Sequence, residues 1–195
     1  MFRILISLIL FLSSLLAAVG GNLVQKDLGF RYSLKENGNG SVKYNIPEYS
    51  LESFAAEDGK VYKRPVMMDA GQVSDEGQPD LPSSSTFIAI NPQKTYSINV
   101  NILSSTVTEN IEILPKNSWD NNSEITFEKG ASYNSQGHYP EKIAMISEPM
   151  TMRELTLVNL TVTPFRYYPQ EKRLEEFTEI EIELIETGES SDIPF

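Results

Sequence analysis

Apolar and polar residues alternate one by one along much of this chain. Val158, Leu160 and Val162 fall on one side of a ribbon and Asn159, Thr161 and Thr163 on the other. Farther on, Ile180, Ile182 and Leu184 alternate with Glu179, Glu181 and Glu183. Successive side chains of a strand point to opposite faces, so each run is a strand with one buried and one wet side. The Pro-containing polar link between them, Tyr167 to Arg173, predicts that the two runs pair antiparallel. Phe177 is out of phase with Ile180, which predicts a bulge or an exposed aromatic. Upstream, Phe30, Tyr32 and Leu34 alternate, and Val42, Tyr44 and Ile46 resume after Asn37-Gly38-Asn39-Gly40, a hairpin with a loose turn. A turn at Asp58-Gly59 follows, then strands at Phe87–Ile90, Tyr96–Ile102 and Glu109–Leu114. No long helical period occurs beyond the first twenty residues. The fold this predicts is all-β, an antiparallel β-sandwich.

Organisation follows from the ends. Arg3, the apolar run Ile4–Leu16 and the small residues Ala17-Ala18-Val19-Gly20 form the pattern of a secretory signal peptide cleaved near Gly20. The expected plan is a signal peptide over 1–20, one β-sandwich domain over 21–186, and a linker over 187–195 toward a downstream domain that this chain does not include. The length left after the leader is enough for one ordinary core. The formal charge is −11, one unit more negative without Arg3, and no basic cluster interrupts it. Nucleic acid, whose phosphates demand Lys and Arg, is therefore a poor partner. No cysteine is present, so an exported fold here rests on packing rather than disulfides.

Catalytic chemistry finds little support. Without Cys there is no thiol nucleophile, and His138 is the single histidine, so a histidine metal cluster within one chain is excluded. A Ser-His-acid triad would need His138 as base with Ser135 or Ser147, and no Gly-x-Ser-x-Gly elbow occurs. Glu179, Glu181 and Glu183 have the spacing of a solvent face rather than of a carboxylate pair. The amide- and acid-rich stretch around Asp120 lacks the spacing of a calcium loop. No metal and no cofactor is expected, and the chain reads as a non-enzyme.

Three ordered marks carry a family resemblance. Gly77, Pro79, Leu81 and Pro82 precede the strand Ile88-Ala89-Ile90 and Pro92. Tyr133 and then Tyr139-Pro140 follow, with Glu141 where the pattern usually has Gly. Pro149, Arg153, Pro164, Tyr167, Pro169, Leu174, Ile180, Ile182 and Leu184 complete the set. In this order the marks resemble the gingipain propeptide family, the N-terminal prodomains of secreted caspase-like cysteine peptidases. The resemblance implies a jelly-roll-like sandwich that is an inhibitory and folding-assisting segment of a zymogen, a cysteine peptidase precursor. It would occlude the active site of a cognate catalytic domain, in cis or in trans, until proteolytic removal. It implies export by a bacterial cell through the periplasm, to the medium or the cell surface, with no stable membrane anchor. Gly77, Pro79, Leu81, Pro82, Tyr139, Pro140, Arg153, Pro164, Tyr167 and Pro169 would be scaffold. The stretch Pro115 to Gly130 would be the reactive loop, with Lys116 or Lys129 entering the peptidase's pocket and Trp119 as an apolar alternative. The loop contains no Arg, so which peptide bond the partner cleaves stays open. Two other readings of the residues stand beside this one. One is a free-standing secreted protease inhibitor; the other is a carbohydrate- or surface-binding module using Trp119, Tyr133 and Tyr139 as a stacking platform.

Overall fold

The alternation at Ile180 and Ile182 becomes the longest strand of the molecule and the axis of its first sheet. The computed structural model describes residues 29–34, 40–55, 59–72, 74–119 and 125–190. The first sheet holds β1 (Phe30–Leu34), β2 (Gly40–Asn45), β7 (Lys94–Thr108), β13 (Phe165–Tyr168) and β14 (Arg173–Glu189). One edge of β14 pairs along its length with β7, while its other edge takes β13 first and then β2, which pairs in turn with β1. The second sheet holds β5 (Gly71–Gln72), β6 (Pro82–Ile90), β10 (Ala144–Ile146), β11 (Met150–Met152) and β12 (Leu155–Val162), with β12 central. Two small ribbons complete the set: β3 (Tyr49–Ala55) with β4 (Val61–Met67), and β8 (Ser118–Trp119) with β9 (Ile125–Thr126). Every ladder is antiparallel, as the alternation predicts.

Two clusters form the core. Val42, Tyr44, Phe177, Ile180 and Ile182 of the first sheet meet Ala144, Leu160 and Val162 of the second, which is the sandwich interior. The second cluster gathers Met67, Leu81, Ile111, Ile113, Tyr133, Phe165, Tyr167 and Leu174 at one end. It is this end cluster that carries the candidate site.

Three expectations are corrected. The run at Val158–Val162 does not pair with the run at Ile180–Leu184; the two lie in opposite sheets. Pro164 has no N–H with which to continue a ladder, and the chain crosses between sheets there. Thr163 N still donates to Ile143 O in one sheet, while Pro164 O accepts from Phe177 N in the other. The partner of β14 in the local hairpin is β13, inside the stretch expected to be only a turn. Glu109–Leu114 is not a strand. Its backbone bonds are divided among three places: Ile111 N donates to Lys172 O, Glu112 O and Leu114 N bond Lys63, and Leu114 O accepts from Asp80 N, giving a single parallel bridge at Ile113 instead of a ladder. Finally, β14 runs through Glu189, three residues into the expected linker, because Gly188 and Glu189 still pair with Thr95 and Lys94. Phe177, by contrast, sits at a bulge as its phase implies, and is fully buried.

Candidate functional site

Gly77 holds the base of the loop. Its N–H donates to Lys116 O at 2.9 Å, and its carbonyl accepts from Gly130 N at 2.7 Å. One residue therefore ties together the two ends of the segment from Lys116 to Gly130. Its φ is +75°, a conformation that side-chain-bearing residues rarely adopt. A Cβ there would also lie 3.1 Å from Glu128 O and Gly130 N, a tight contact that adds to the strain of the backbone conformation. The residues after it extend the seam: Lys116 N donates to Gln78 O and Asp80 N to Leu114 O, with Pro79 facing Pro115. Leu81 is buried in the end cluster and Pro82 opens β6. The motif from Gly77 to Pro82 is thus one side of a seam whose other side is the root of the loop. Within the loop, β8 and β9 pair at Ser118–Thr126 and Trp119–Ile125. Residues 120–124 lie outside the described residues, as do the details of the Trp119 side chain.

Each candidate lysine meets an acid at this base. Lys116 Nζ lies 3.9 Å from Asp80 Oδ1, and Arg64 approaches the other oxygen of the same carboxylate at 3.8 Å. Asp80 is 2% exposed, so both cations gather on a buried charge, the arrangement that burial of a carboxylate demands. Arg64 also bonds Glu52 at 2.7 Å and lies over the ring of Phe54. Lys129 Nζ is 3.2 Å from Glu112 and about equally close to two ring faces, 5.0 Å from Tyr62 and 5.2 Å from Tyr133. That is a carboxylate-and-aromatic cage around one ammonium. Lys172 reaches the other Glu112 oxygen at 2.8 Å. The Lys172 hydrogen bond, with Lys129 adding to it against the effect of burial, holds the Glu112 carboxyl below its ordinary range.

The remaining marks build the end cluster. Tyr139 and Tyr167 exchange backbone hydrogen bonds, 2.9 Å from Tyr139 N and 2.7 Å from Tyr167 N, so the second and third marks meet directly. The Tyr139-Pro140 bond is cis. Tyr167 donates its hydroxyl to Ile111 O at 3.2 Å, and burial pushes its pKa up to about 12. Tyr133 packs edge-on against it and donates to Ile113 O. Pro169 is buried beneath the β13–β14 turn, where its carbonyl accepts from Lys172 N. Arg153 stands apart, exposed in the turn between β11 and β12 with φ +57°. A stacking platform of Trp119, Tyr133 and Tyr139 does not form: Tyr133 is 6% exposed and its hydroxyl is committed to the backbone. His138 lies against the Tyr168 ring with Nδ1 at the Pro140 carbonyl.

Asp80, Arg64, Glu112 and Tyr62 escaped the sequence reading. Asp80 had no local signal, since an acid between two apolar residues in extended chain is ordinarily turned to solvent. Glu112 had none, because Lys129 and Lys172 reach it from far along the chain. Among the described residues no cluster of three or more His, Asp or Glu is placed to hold a metal, and no helix is long and apolar enough to cross a membrane.

Comparison with known proteins agrees with this architecture. Gingipain R2 of Porphyromonas gingivalis is 29% identical over 161 residues, which are 80% of this chain and 22% of that protein. Gingipain R1 of the same species is 28% identical over 131 residues. The chain therefore spans about a fifth of the length of the first of these relatives, and less of the second. In a solved complex of the P. gingivalis RgpB pro- and mature domains, one chain superposes with a TM-score of 0.72 at 23% identity, covering 87% of this chain and 91% of that one. A structure described as bearing on the zymogenic latency of gingipain K from that organism matches with a TM-score of 0.63 at 20% identity, covering 81% and 93%. The likeness to the two solved structures establishes a shared fold. The family model Propeptide_C25 matches residues 30–192, nearly all of the described chain. With no cysteine to act as nucleophile and this match in hand, the chain is not itself the catalyst: it belongs to the Propeptide_C25 family.

Proposed function

We propose that this chain is the inhibitory and folding-assisting propeptide of a secreted gingipain-type cysteine endopeptidase, occluding that enzyme's active site until it is cut away. The observation that carries the reading is the Gly77 clamp, which roots the Lys116–Gly130 loop on a rigid sandwich. A segment that must lie in a cleft in a substrate-like pose without being cut needs this kind of support, because binding then orders few residues. Membership of the propeptide family and the pairing of pro- and mature domains in the RgpB complex support the same reading. The export pattern of the first twenty residues supports a role outside the cytoplasm, in the periplasm or at the cell surface.

Lys116, Lys129 and Trp119 are the contacts proposed for the partner's pocket. The two lysines would have to exchange their carboxylates for that pocket. The partly exposed Lys129–Glu112 pair contributes only about 0.2–1 kcal/mol, so a complementary pocket can outcompete it. Withdrawal of Lys116 would leave the buried Asp80 carboxylate to Arg64, a larger cost that the pocket would have to offset. The test is to titrate the chain into its cognate catalytic domain and measure residual peptidase activity. Lys116→Ala or Lys129→Ala is expected to raise the inhibition constant about tenfold or more, the scale of a buried interface contact of roughly 1.4 kcal/mol or above, with the thermal transition of Lys129→Ala shifted far less. Undiminished inhibition by both lysine variants and by Trp119→Ala would move the contact off this loop.

A further inference from the structure

The edge of β7 offers a second interaction surface, distinct from the clamped loop. Its inner edge is paired with β14 from Lys94 to Thr108, with register shifts that leave Leu103 out of the ladder, and no described strand pairs with its outer edge. From Asn101 to Thr108 the strand is exposed on both faces, including Ile102 at 40%, Leu103 at 43% and Val107 at 50%. The stretch Thr95–Thr108 contains no charge and no proline, in a chain whose formal charge is −11. Soluble proteins normally blunt such an edge with lysine, proline or a short strand, since its free N–H and C=O groups recruit another strand. This edge has none of those safeguards.

We propose that the outer edge of β7, over Asn101–Thr108, pairs antiparallel with the same edge of a second copy, joining the two first sheets about a two-fold axis. Charge selects the occupant. Two copies of so acidic a chain repel each other over most of their surfaces, and β7 is the long exposed strand where they meet without like charges. Antiparallel overlap of these eight residues sends the two Glu109 side chains to opposite ends of the ribbon. At about 3.3 Å per residue they stand roughly 25–30 Å apart, several times the Debye length at physiological salt. A parallel arrangement would set them side by side. The strand's Ile, Val and Thr content suits a continuous sheet, and a two-fold contact closes on itself without building a fibre. An edge of this length buries little area, so the dimer is weak and concentration-dependent.

Sedimentation of the chain freed of its leader, from about 1 to about 100 μM, reads this directly. The wild type is expected to pass from monomer to dimer across that range. Leu103→Lys places a charge on the edge and is expected to weaken the dimer at least tenfold. Ser105→Lys, which leaves every apolar residue in place, is expected to do the same, and thermal melts report whether each variant folds. A wild type that stays monomeric at the highest concentration overturns the proposal. So does a dimer that neither folded variant weakens. Inhibition of a peptidase is not read in this experiment, so its outcome is independent of the function proposed above.

Discussion

At the scale of single residues, Gly77 does more than turn the chain. Its two backbone bonds close the loop, its positive φ disfavours any side chain, and the 3.1 Å approach of Glu128 and Gly130 crowds the place where one would start. Gly77→Ala is expected to cost about 1–3 kcal/mol in urea unfolding, the usual cost of a non-glycine residue in a disfavoured backbone region, and to impair inhibition more than Lys116→Ala does. Glu112 makes a pH prediction. Its folded pKa lies below its unfolded value, so the stability that it contributes is fully present above about pH 5 and is lost as pH falls through the folded pKa. Stability measured from pH 7 to pH 3 should therefore fall more steeply for wild type than for Glu112→Gln, the two curves converging at the acid end. Parallel curves would remove Glu112 from the acid response. The motif glycine and prolines were legible because each changes what the backbone can do. The charges that they enclose were not, since pairing of Glu112 with Lys129 and Lys172 depends on contacts that no local pattern encodes.

Among the elements, β14 decides most. Alternation at Ile180, Ile182 and Leu184 was legible, and so was the phase error at Phe177, because a bulge changes the period that the sequence itself carries. The pairing was not. A strand records which of its faces is buried but not which neighbour it bonds, and β13, only four residues long, is too brief to show a period. The end of β14 was misjudged for a related reason. Thr187-Gly188-Glu189 has linker composition, yet Thr187 bonds Thr95 and Ser190 N reaches Gln93 O. A chain ending at Glu186 is accordingly expected to unfold about 1–2 kcal/mol more easily than one ending at Ser190, the net worth of one or two hydrogen bonds. Equal denaturation midpoints would return residues 187–190 to the linker.

For the whole molecule, division of labour is the theme. One core cluster joins the two sheets, and the other, at the end where Tyr133, Tyr139 and Tyr167 meet, supports the seam that roots the loop. On the function proposed above, such a body would present a segment to its partner and hold it still. The class and the sandwich were readable from alternation and turn residues. The seam was not, because Gly77 and Gly130 lie far apart in the chain and meet only through tertiary folding. The central claim is that this domain serves as the pro-segment of a longer peptidase precursor, and the intact mass of the native gene product, recovered with protease inhibitors present, tests it most directly. A polypeptide much heavier than this chain, continuing past Phe195 into a region that contains Cys and His, is the predicted result. A product that ends at Phe195 contradicts it, and would make the protein a separate partner of its peptidase.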